Sequence, residues 1–159
     1  MTPQGPAPSW VVWRWTSDTP DAAAQARAAL RCALDQLGYD DETVDNAVLV
    51  ASEVVTNAVR HATGPYEMRL RRTAAEIICE VEDRDSRLPR LASSFTALSP
   101  KAAEETYEQG SLQALPECGR GLVIVHQLTN GVWGFRSRQG AKAAWFAVPL
   151  PPQDQRRRQ

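Results

Sequence analysis

The stretch SEVVTNAVRHA, residues 52–62, places a carboxylate and a carboxamide four positions apart, at Glu53 and Asn57. Residues four apart lie on the same face of an α-helix, so these two side chains would be neighbours. Apolar side chains recur at helical spacing beside this pair and predict a stripe that faces the core. The stripe consists of Val44, Val48, Ala51, Val55, Ala58 and Ala62. A Glu and an Asn in this arrangement can hold a metal-bound phosphate and activate a nucleophile, and the alternative is the polar flank of an amphipathic helix.

Two further motifs follow along the chain. Asp83 stands at the end of a strand-like apolar pattern, within VEDRD at residues 81–85, and a Gly-x-Gly-Leu sequence at residues 119–122 opens an apolar run. Glycines allow a backbone to approach a ligand closely, and the first turn of a helix offers free N–H groups to an anion. Each motif has an ordinary alternative, because an Asp also caps turns and glycines also mark them.

The order of these motifs resembles the N, G1 and G2 boxes of the GHKL (Bergerat-fold) ATP-binding superfamily. Glu53 and Asn57 match the N box, Asp83 matches the G1 box, and residues 119–122 match the G2 box. Within that superfamily, the stretches ASEVVTNAVRHA, GRGLVIVHQL and VWG are similar to the small anti-sigma regulatory factors with serine-protein-kinase activity that are numerous in actinomycetes. The resemblance extends over about residues 20 to 150.

This resemblance implies ATP and Mg²⁺ as cofactors and a role for each matched residue. Asn57 is expected to bind ATP through a Mg²⁺ ion, which prefers oxygen ligands and keeps several waters. Glu53 is expected to be the general base that takes the proton of a serine hydroxyl or a water, and Asp83 to accept a hydrogen bond from the adenine amino group. The residues expected at the phosphates are Gly119, Arg120, Gly121 and Leu122. For Arg120, a solvent-facing side chain is the alternative.

The sequence departs from the superfamily pattern on the adenine side. Many relatives have glycines two and four residues after the Asp, whereas this chain has Asp85 and Arg87. The threonine that often lies on the last strand corresponds to Ala143 or Ala144. We therefore expect a stiffer loop with an extra carboxylate next to Asp83.

The pattern of elements predicts an α+β fold, a two-layer α/β sandwich of the Bergerat (histidine-kinase-like ATPase) type. Its sheet is expected to be mixed and mainly antiparallel, with the helices on one face. Residues 10–150 would form one domain with a lid at about 86–118, between flexible tails at 1–9 and 151–159. The predicted strands are 10–15, 67–72, 77–82, 132–137 and 143–148. The predicted helices begin at Asp18, at Asp40 or Asp41, near Ser99 and near Gly121.

The tryptophans give two predictions about strand faces. Trp13 and Trp15 are expected to share one face of the first strand with Val11, because alternate residues of a strand point to the same side. Trp133 and Trp145 are expected to meet across the last hairpin. The two histidines, His61 and His126, have no neighbour at metal-ligand spacing and are expected to be structural.

Composition limits the remaining classes of protein. The chain has 159 residues, of which 43% are hydrophobic, and this is enough for one core. A formal net charge of -1 argues against direct, sequence-independent nucleic-acid binding. No run approaches the roughly 18 apolar residues of a membrane span, and the start of the chain lacks a signal segment, so we expect a cytoplasmic protein. The cysteines Cys32, Cys79 and Cys118 are scattered, as expected for reduced thiols.

The resemblance therefore implies an ATP-dependent regulatory switch. Such a protein would be a serine kinase that phosphorylates an anti-anti-sigma (STAS-domain) partner and controls a sigma factor, and homodimers are typical of such kinases. The alternative is a non-catalytic module that binds a partner and uses ATP only to order its lid, or binds no nucleotide. A free-standing ATPase is disfavoured, because no second domain is present to couple hydrolysis to work.

Overall fold

Three helices and five strands alternate along the part of the chain that the computed structural model describes, residues 8–87 and 119–151. For Gly119 and Arg120 only the helical backbone is described. The strands are β1 (Ser9–Trp15), β2 (Tyr66–Arg72), β3 (Glu76–Asp83), β4 (Trp133–Arg138) and β5 (Ala141–Pro149). The helices are α1 (Ala22–Gln36), α2 (Asp41–His61) and α3 (Gly119–Leu128).

The five strands form one sheet in the order β1-β2-β3-β5-β4. Each of its four strand pairings is antiparallel, so the described sheet is not mixed as the sequence predicted. The connection through α3 returns the chain to the far side of β3, which places β5 next to β3 and leaves β4 at the edge. The predicted α+β sandwich is confirmed, and the five predicted strands are found within two residues of their expected bounds.

One hydrophobic core lies between the sheet and the helices. Alternation along β3 directs Ile77, Cys79 and Val81 into this core. The apolar stripe of α2 faces the same core. Its residues Val44, Val48, Ala51 and Val55 are buried, Ala58 is partly buried, and Ala62 is the residue that ends the helix. Burial of Cys79 raises the pKa of its thiol, which keeps it protonated.

The α2 helix has clear chemical signals at both ends. The backbone N–H of Thr43 donates to Oδ1 of Asp40 at 2.7 Å, so Asp40 is the cap rather than Asp41. Acidic residues in the first turn and the basic pair Arg60 and His61 in the last turn both complement the helix dipole. Glu53 lies in the second half of this helix, and Asn57 lies about one turn before its last residue, His61.

The start of α1 differs from the prediction. Asp18 does not cap the helix, because the chain first makes a turn in which the N–H of Thr19 donates to the carbonyl of Thr16 at 3.2 Å. The helix begins only after Asp21, whose backbone is left-handed with φ of 49° and whose side chain makes no capping hydrogen bond. Gly38, with φ of 87°, follows the end of α1, and a glycine after a helix is a common stop because it adopts this left-handed backbone without strain.

A β-bulge changes the faces of β1. Val11 is opposite Arg69 and Trp13 is opposite Met68, so Val12 is an extra residue between them. Trp13 and Trp15 face the core, whereas Val11 is on the opposite face of the sheet. The prediction that Val11 shares their face is wrong, because one inserted residue shifts the alternation.

The two tryptophans of the last hairpin also lie on opposite faces. Trp133 is opposite Phe146 and belongs to the main core. Trp145 is opposite Gly134 and packs with Ile78 and Ala147 on the face away from the helices. The predicted contact between the two tryptophans is therefore wrong by one residue of register.

Several predictions fall outside the part of the chain that the structure describes. These are the helix near Ser99, Cys118 and nearly all of the lid, together with most of both tails. Ser9, placed in the N-terminal tail by the sequence, is the first residue of β1, and Pro151 is buried. Within the described residues, no helix combines the length and the apolar character that crossing a membrane requires.

Candidate functional site

An open cleft of about 300 Å³ lies between the α2 and α3 helices and the β3–β5–β4 side of the sheet. Asn57 and His61 of α2 line it together with Leu122 of α3. The strands and the loop after β3 contribute Asp83, Asp85, Arg87, Trp133, Phe135, Lys142 and Ala144. Apolar walls with a few polar groups at particular points are typical of small-molecule sites.

The first turn of α3 packs against the polar edge of α2. A Cβ atom on Gly121 would lie 2.5 Å from Oε2 of Glu53 and 3.9 Å from Nδ2 of Asn57. Carbon atoms do not approach a carboxylate oxygen this closely, so a side chain at position 121 would displace the flexible end of Glu53 from this position. The two motifs, which are far apart in the sequence, thus come together at Gly121.

Glu53 and Asn57 are both half-buried and both remain available to a ligand. Within residues 8–87 and 119–151, neither side chain forms a hydrogen bond or an ion pair. Asn57 lines the cleft directly, and Glu53 lies one helical turn before it on the same face. The carboxylate is therefore free to accept a proton and the carboxamide oxygen is free to bind a cation.

The α3 helix begins at Gly119, before the predicted start near Gly121, so both glycines lie in its first turn. Glycine is a poor helix former, at about 1 kcal/mol relative to Ala. At Gly121 the close approach to Glu53 accounts for it. The first turn contains no acidic residue, and its free N–H groups can therefore attract an anion.

Asp83 forms a buried ion pair at another point of the cleft wall. It is the last residue of β3 and lies directly opposite Lys142 of β5. Lys142 Nζ lies 3.1 Å from Oδ1 and 3.0 Å from Oδ2 of Asp83, and it also donates to the carbonyl of Asp85 at 3.2 Å. Burial raises the pKa of the Asp83 carboxyl, while hydrogen bonds from the Asp85 N–H and from Lys142 oppose that rise. The acceptor predicted at Asp83 thus already has a cationic partner.

The loop after β3 is closed by a second carboxylate. Asp85 Oδ1 accepts hydrogen bonds from the Arg87 backbone N–H and from its Nε, both at 3.0 Å, and Oδ2 accepts from Nη2 at 2.9 Å. Hydrogen bonds from the Arg87 side chain and backbone hold the pKa of Asp85 well below its usual range. The extra carboxylate is thus paired with an arginine instead of adding free negative charge to the cleft.

Comparison with known proteins identifies the domain. Residues 16–146 match the family model of the histidine kinase-like ATPase domain. The chain belongs to that family. The matched span contains Glu53, Asn57, Asp83 and the two glycines of α3, so the superfamily resemblance is confirmed.

One solved structure to which this histidine kinase-like ATPase domain is similar is a histidine kinase domain from Erythrobacter litoralis, of the EL346 blue-light activated histidine kinase. The two sequences are 19% identical, with a TM-score of 0.45. The alignment covers 84% of this chain and 65% of that one, so the present chain spans about two-thirds of the length of its relative. None of the curated proteins matches the chain.

Membership of the family implies ATP as the ligand, commonly with Mg²⁺, and the residues of the cleft fit such a ligand. A Cβ at Gly121 would crowd the Glu53 carboxylate and come within 3.9 Å of Asn57 Nδ2, so the backbone of α3 can lie close to both side chains only because this residue is a glycine. Within the described ranges there is no group of three or more His, Cys, Asp or Glu side chains that could hold a metal ion. A Mg²⁺ ion bound mainly by phosphates and water does not need such a group.

The structure also shows site residues that the sequence reasoning missed. Lys142, His61 and Phe135 all line the cleft of this ATPase domain. Lys142 lies one residue before the predicted start of the last strand, and only the pairing with Asp83 reveals its position. His126 accepts a hydrogen bond at Nδ1 from Trp133 Nε1 at 3.0 Å, an arrangement that ties α3 to β4.

Proposed function

We propose that this protein is a serine kinase that binds Mg·ATP in the cleft and phosphorylates an anti-anti-sigma (STAS-domain) partner, thereby controlling a sigma factor. The observation that supports this proposal best is the convergence of Glu53, Asn57 and Gly121. It brings together a carboxylate and a carboxamide, neither of which has a partner among the described residues, and the N-terminus of a helix next to the cleft that Asn57 lines. Phosphoryl transfer requires positioning, charge neutralisation and a base, and these groups can provide all three.

Each part of the nucleotide has a suitable group in the cleft. The carboxamide oxygen of Asn57 would bind Mg²⁺, and the N–H groups of the first turn of α3, with Arg120 and Leu122, would face the phosphates. Asp83 would accept a hydrogen bond from the amino group of the base, whose rings would lie between apolar walls that include Phe135. Bound ATP would supply the phosphoryl group, and Mg²⁺ would neutralise its charge.

Glu53 would be the catalytic residue. It would accept the proton of the attacking serine hydroxyl as the serine oxygen bonds to phosphorus and ADP departs. Because its carboxylate has no partner among the described residues, no hydrogen bond has to break first. Its contact with Gly121 keeps it next to the turn that would hold the phosphates.

The proposed consequence for the partner is electrostatic. A phosphoserine adds a charge of about -1.5 to -2, which can break a fitted protein interface. The STAS partner would therefore dissociate after phosphorylation, and the kinase would become available to bind a sigma factor. The proposal places this switch in the cytoplasm and leaves its oligomeric state open, with a homodimer as one option. It includes no direct contact with nucleic acid or membrane.

A second candidate function is supported by the ion pair between Asp83 and Lys142. Asp83, which is predicted to accept a hydrogen bond from the adenine amino group, already has the ammonium group of Lys142 within 3.1 Å of its Oδ1. This arrangement favours a non-catalytic module that controls its partner by contact alone and that uses ATP only to order its lid, or binds no nucleotide.

The test is phosphotransfer from γ-labelled ATP to purified STAS-domain proteins encoded in the same genome. Glu53→Gln should lower the rate about 100- to 10,000-fold, the usual contribution of a general base. The control is Glu42→Gln, which removes a carboxylate from the exposed first turn of the same helix. Normal labelling by Glu53→Gln would contradict the catalytic assignment. A stable complex without any labelling by the unmodified protein would favour the contact-only module.

A further inference from the structure

We propose that Lys142 recognises the nucleobase together with Asp83. Lys142 would donate a hydrogen bond to the ring nitrogen N1 of adenine, and Asp83 would accept a hydrogen bond from the adjacent amino group. This inference rests on the proposed function, because it concerns the base end of the same cleft. It adds a specificity-determining residue that no sequence motif indicated.

The position of Lys142 supports direct contact with a ligand. Its side chain lines the cleft, as that of Asp83 does, although the two residues are only 8% and 3% exposed. An ammonium group has three donors and no acceptor, and a carboxylate has only acceptors. The two residues therefore present a donor and an acceptor about 3 Å apart on the same wall.

One donor of Lys142 can be transferred to a ligand without breaking the ion pair. Lys142 Nζ contacts both oxygens of Asp83 as well as the carbonyl of Asp85. One of the two contacts with Asp83 is enough to keep the charges paired. The other N–H can then bond to an acceptor in the cleft.

Fold stability does not account for this pair. The neighbouring pairs on the same face of β3 and β5 are apolar, namely Val81 with Ala144 and Cys79 with Phe146. A buried ion pair usually stabilises a protein no more than apolar residues of similar volume would. An ion pair at the position where this apolar face reaches the cleft is therefore better explained by a polar ligand.

The edge of adenine complements such a donor and acceptor. Adenine presents an amino group, which is a donor, next to the unprotonated nitrogen N1, which is an acceptor. With the amino group on Asp83, N1 would face the ammonium of Lys142. Guanine offers a carbonyl and a protonated N1 in the opposite order, so it would require the two side chains to exchange positions.

Calorimetric titration of the intact protein with three Mg²⁺-bound nucleotides tests this arrangement. The nucleotides are ATP, 1-deaza-ATP, in which a C–H replaces N1, and purine riboside triphosphate, which lacks the amino group. Each analogue removes one hydrogen bond to a charged group, so each should bind about tenfold more weakly than ATP or worse. Equal binding of ATP and 1-deaza-ATP by the unmodified protein would overturn the inference, and this outcome does not depend on any variant folding.

The variant Lys142→Met keeps most of the length of the side chain and removes its charge. It should reduce the ratio of affinities for ATP and 1-deaza-ATP to about one. Arg138→Met is the control, since it removes an exposed cation from the same hairpin and should leave that ratio unchanged. If Lys142→Met weakens the binding of ATP and of 1-deaza-ATP equally, the ratio of the two affinities is unchanged. Lys142 would then be only structural, and the inference would be wrong. If the unmodified protein binds no nucleotide, the proposed function itself fails, and the inference fails with it.

Discussion

Gly121 on α3 lies so close to Glu53 on α2 that a Cβ atom at Gly121 would be 2.5 Å from the carboxylate Oε2. The contact joins two helices that are distant in the sequence, and it places the proposed base beside the N-terminus of α3. It also explains why a glycine occurs inside a helix. Proper positioning of Glu53 should therefore depend on the absence of a side chain at Gly121.

Substitution Gly121→Ala should impair catalysis more than stability. The added methyl group meets the flexible end of Glu53, which can rotate away, and Ala is favoured over Gly in helices by about 1 kcal/mol, so the free energy of unfolding should change by less than about 1 kcal/mol. Displacement of a catalytic group by about 1 Å can reduce a rate about 100-fold. Urea unfolding and the phosphotransfer assay on the same preparation check both values. Full activity of the Gly121→Ala variant would show that phosphotransfer does not depend on the position of Glu53 beside Gly121.

The Asp85 carboxylate should make stability depend on pH under acidic conditions. Its pKa is lowered by Arg87, so the folded state binds this proton less readily than the unfolded state does. The stabilisation is thus complete above the ordinary Asp pKa of about 3.9 and is lost as the pH falls below it. Asp85→Asn should show a smaller loss of unfolding free energy between about pH 4 and pH 2 than the unmodified protein. Arg87→Gln should behave in the same way, and an unchanged acid dependence in both variants would contradict the pairing.

The core between α1 and the sheet should be sensitive to cavities. Leu34 is fully buried, and Leu34→Ala should lower the free energy of unfolding by about 2–5 kcal/mol. Leu49 on α2 is 45% exposed and provides the matched control, for which a change within about 0.5 kcal/mol is expected. Chemical denaturation measures both values. Similar losses in the two variants would be inconsistent with the orientation of the helices on the sheet.

The face of the sheet away from the helices has its own buried charge. Glu80 is 5% exposed and is held by Arg136 Nη2 at 2.8 Å and Arg71 Nη2 at 3.3 Å. Glu80→Gln keeps the shape but weakens these charged hydrogen bonds, so unfolding should become easier by about 1.5–3 kcal/mol. Glu82→Gln is the control, because that more exposed carboxylate has its arginine partners at 3.5 and 3.8 Å and should lose under about 1 kcal/mol. Equal losses of unfolding free energy in the two variants would show that burial does not strengthen the hydrogen bonds of Glu80 to its arginines.

Local sequence signals predicted most of the elements. The helical spacing of Val44, Val48 and Val55, with a cap at Asp40, was sufficient to place α2 and hence Glu53 and Asn57. Features that depend on pairing between distant strands were not predictable in the same way. The inserted Val12 placed Val11 on the face opposite to the predicted one. The observed β4–β5 register differs by one residue from the predicted register, so Trp145 lies on the face opposite to Trp133.

The candidate site was predictable to a similar degree. The resemblance indicated which residue types would matter, because the motifs are short and local. That Gly121 touches Glu53 follows only from the packing of α3 on α2, and that Lys142 neutralises Asp83 follows only from the pairing of β5 with β3. A single sequence carries no direct signal for either contact.

Calorimetric titration with ATP, with and without Mg²⁺, is the decisive test of a nucleotide site at Asn57. The comparison includes Asn57→Ala and, as a control, Asn46→Ala, which truncates an exposed carboxamide on the same helix. We expect Mg²⁺-dependent binding that Asn46→Ala retains and Asn57→Ala abolishes. Absence of binding at millimolar ATP, or binding that Asn57→Ala leaves unchanged, would contradict this expectation.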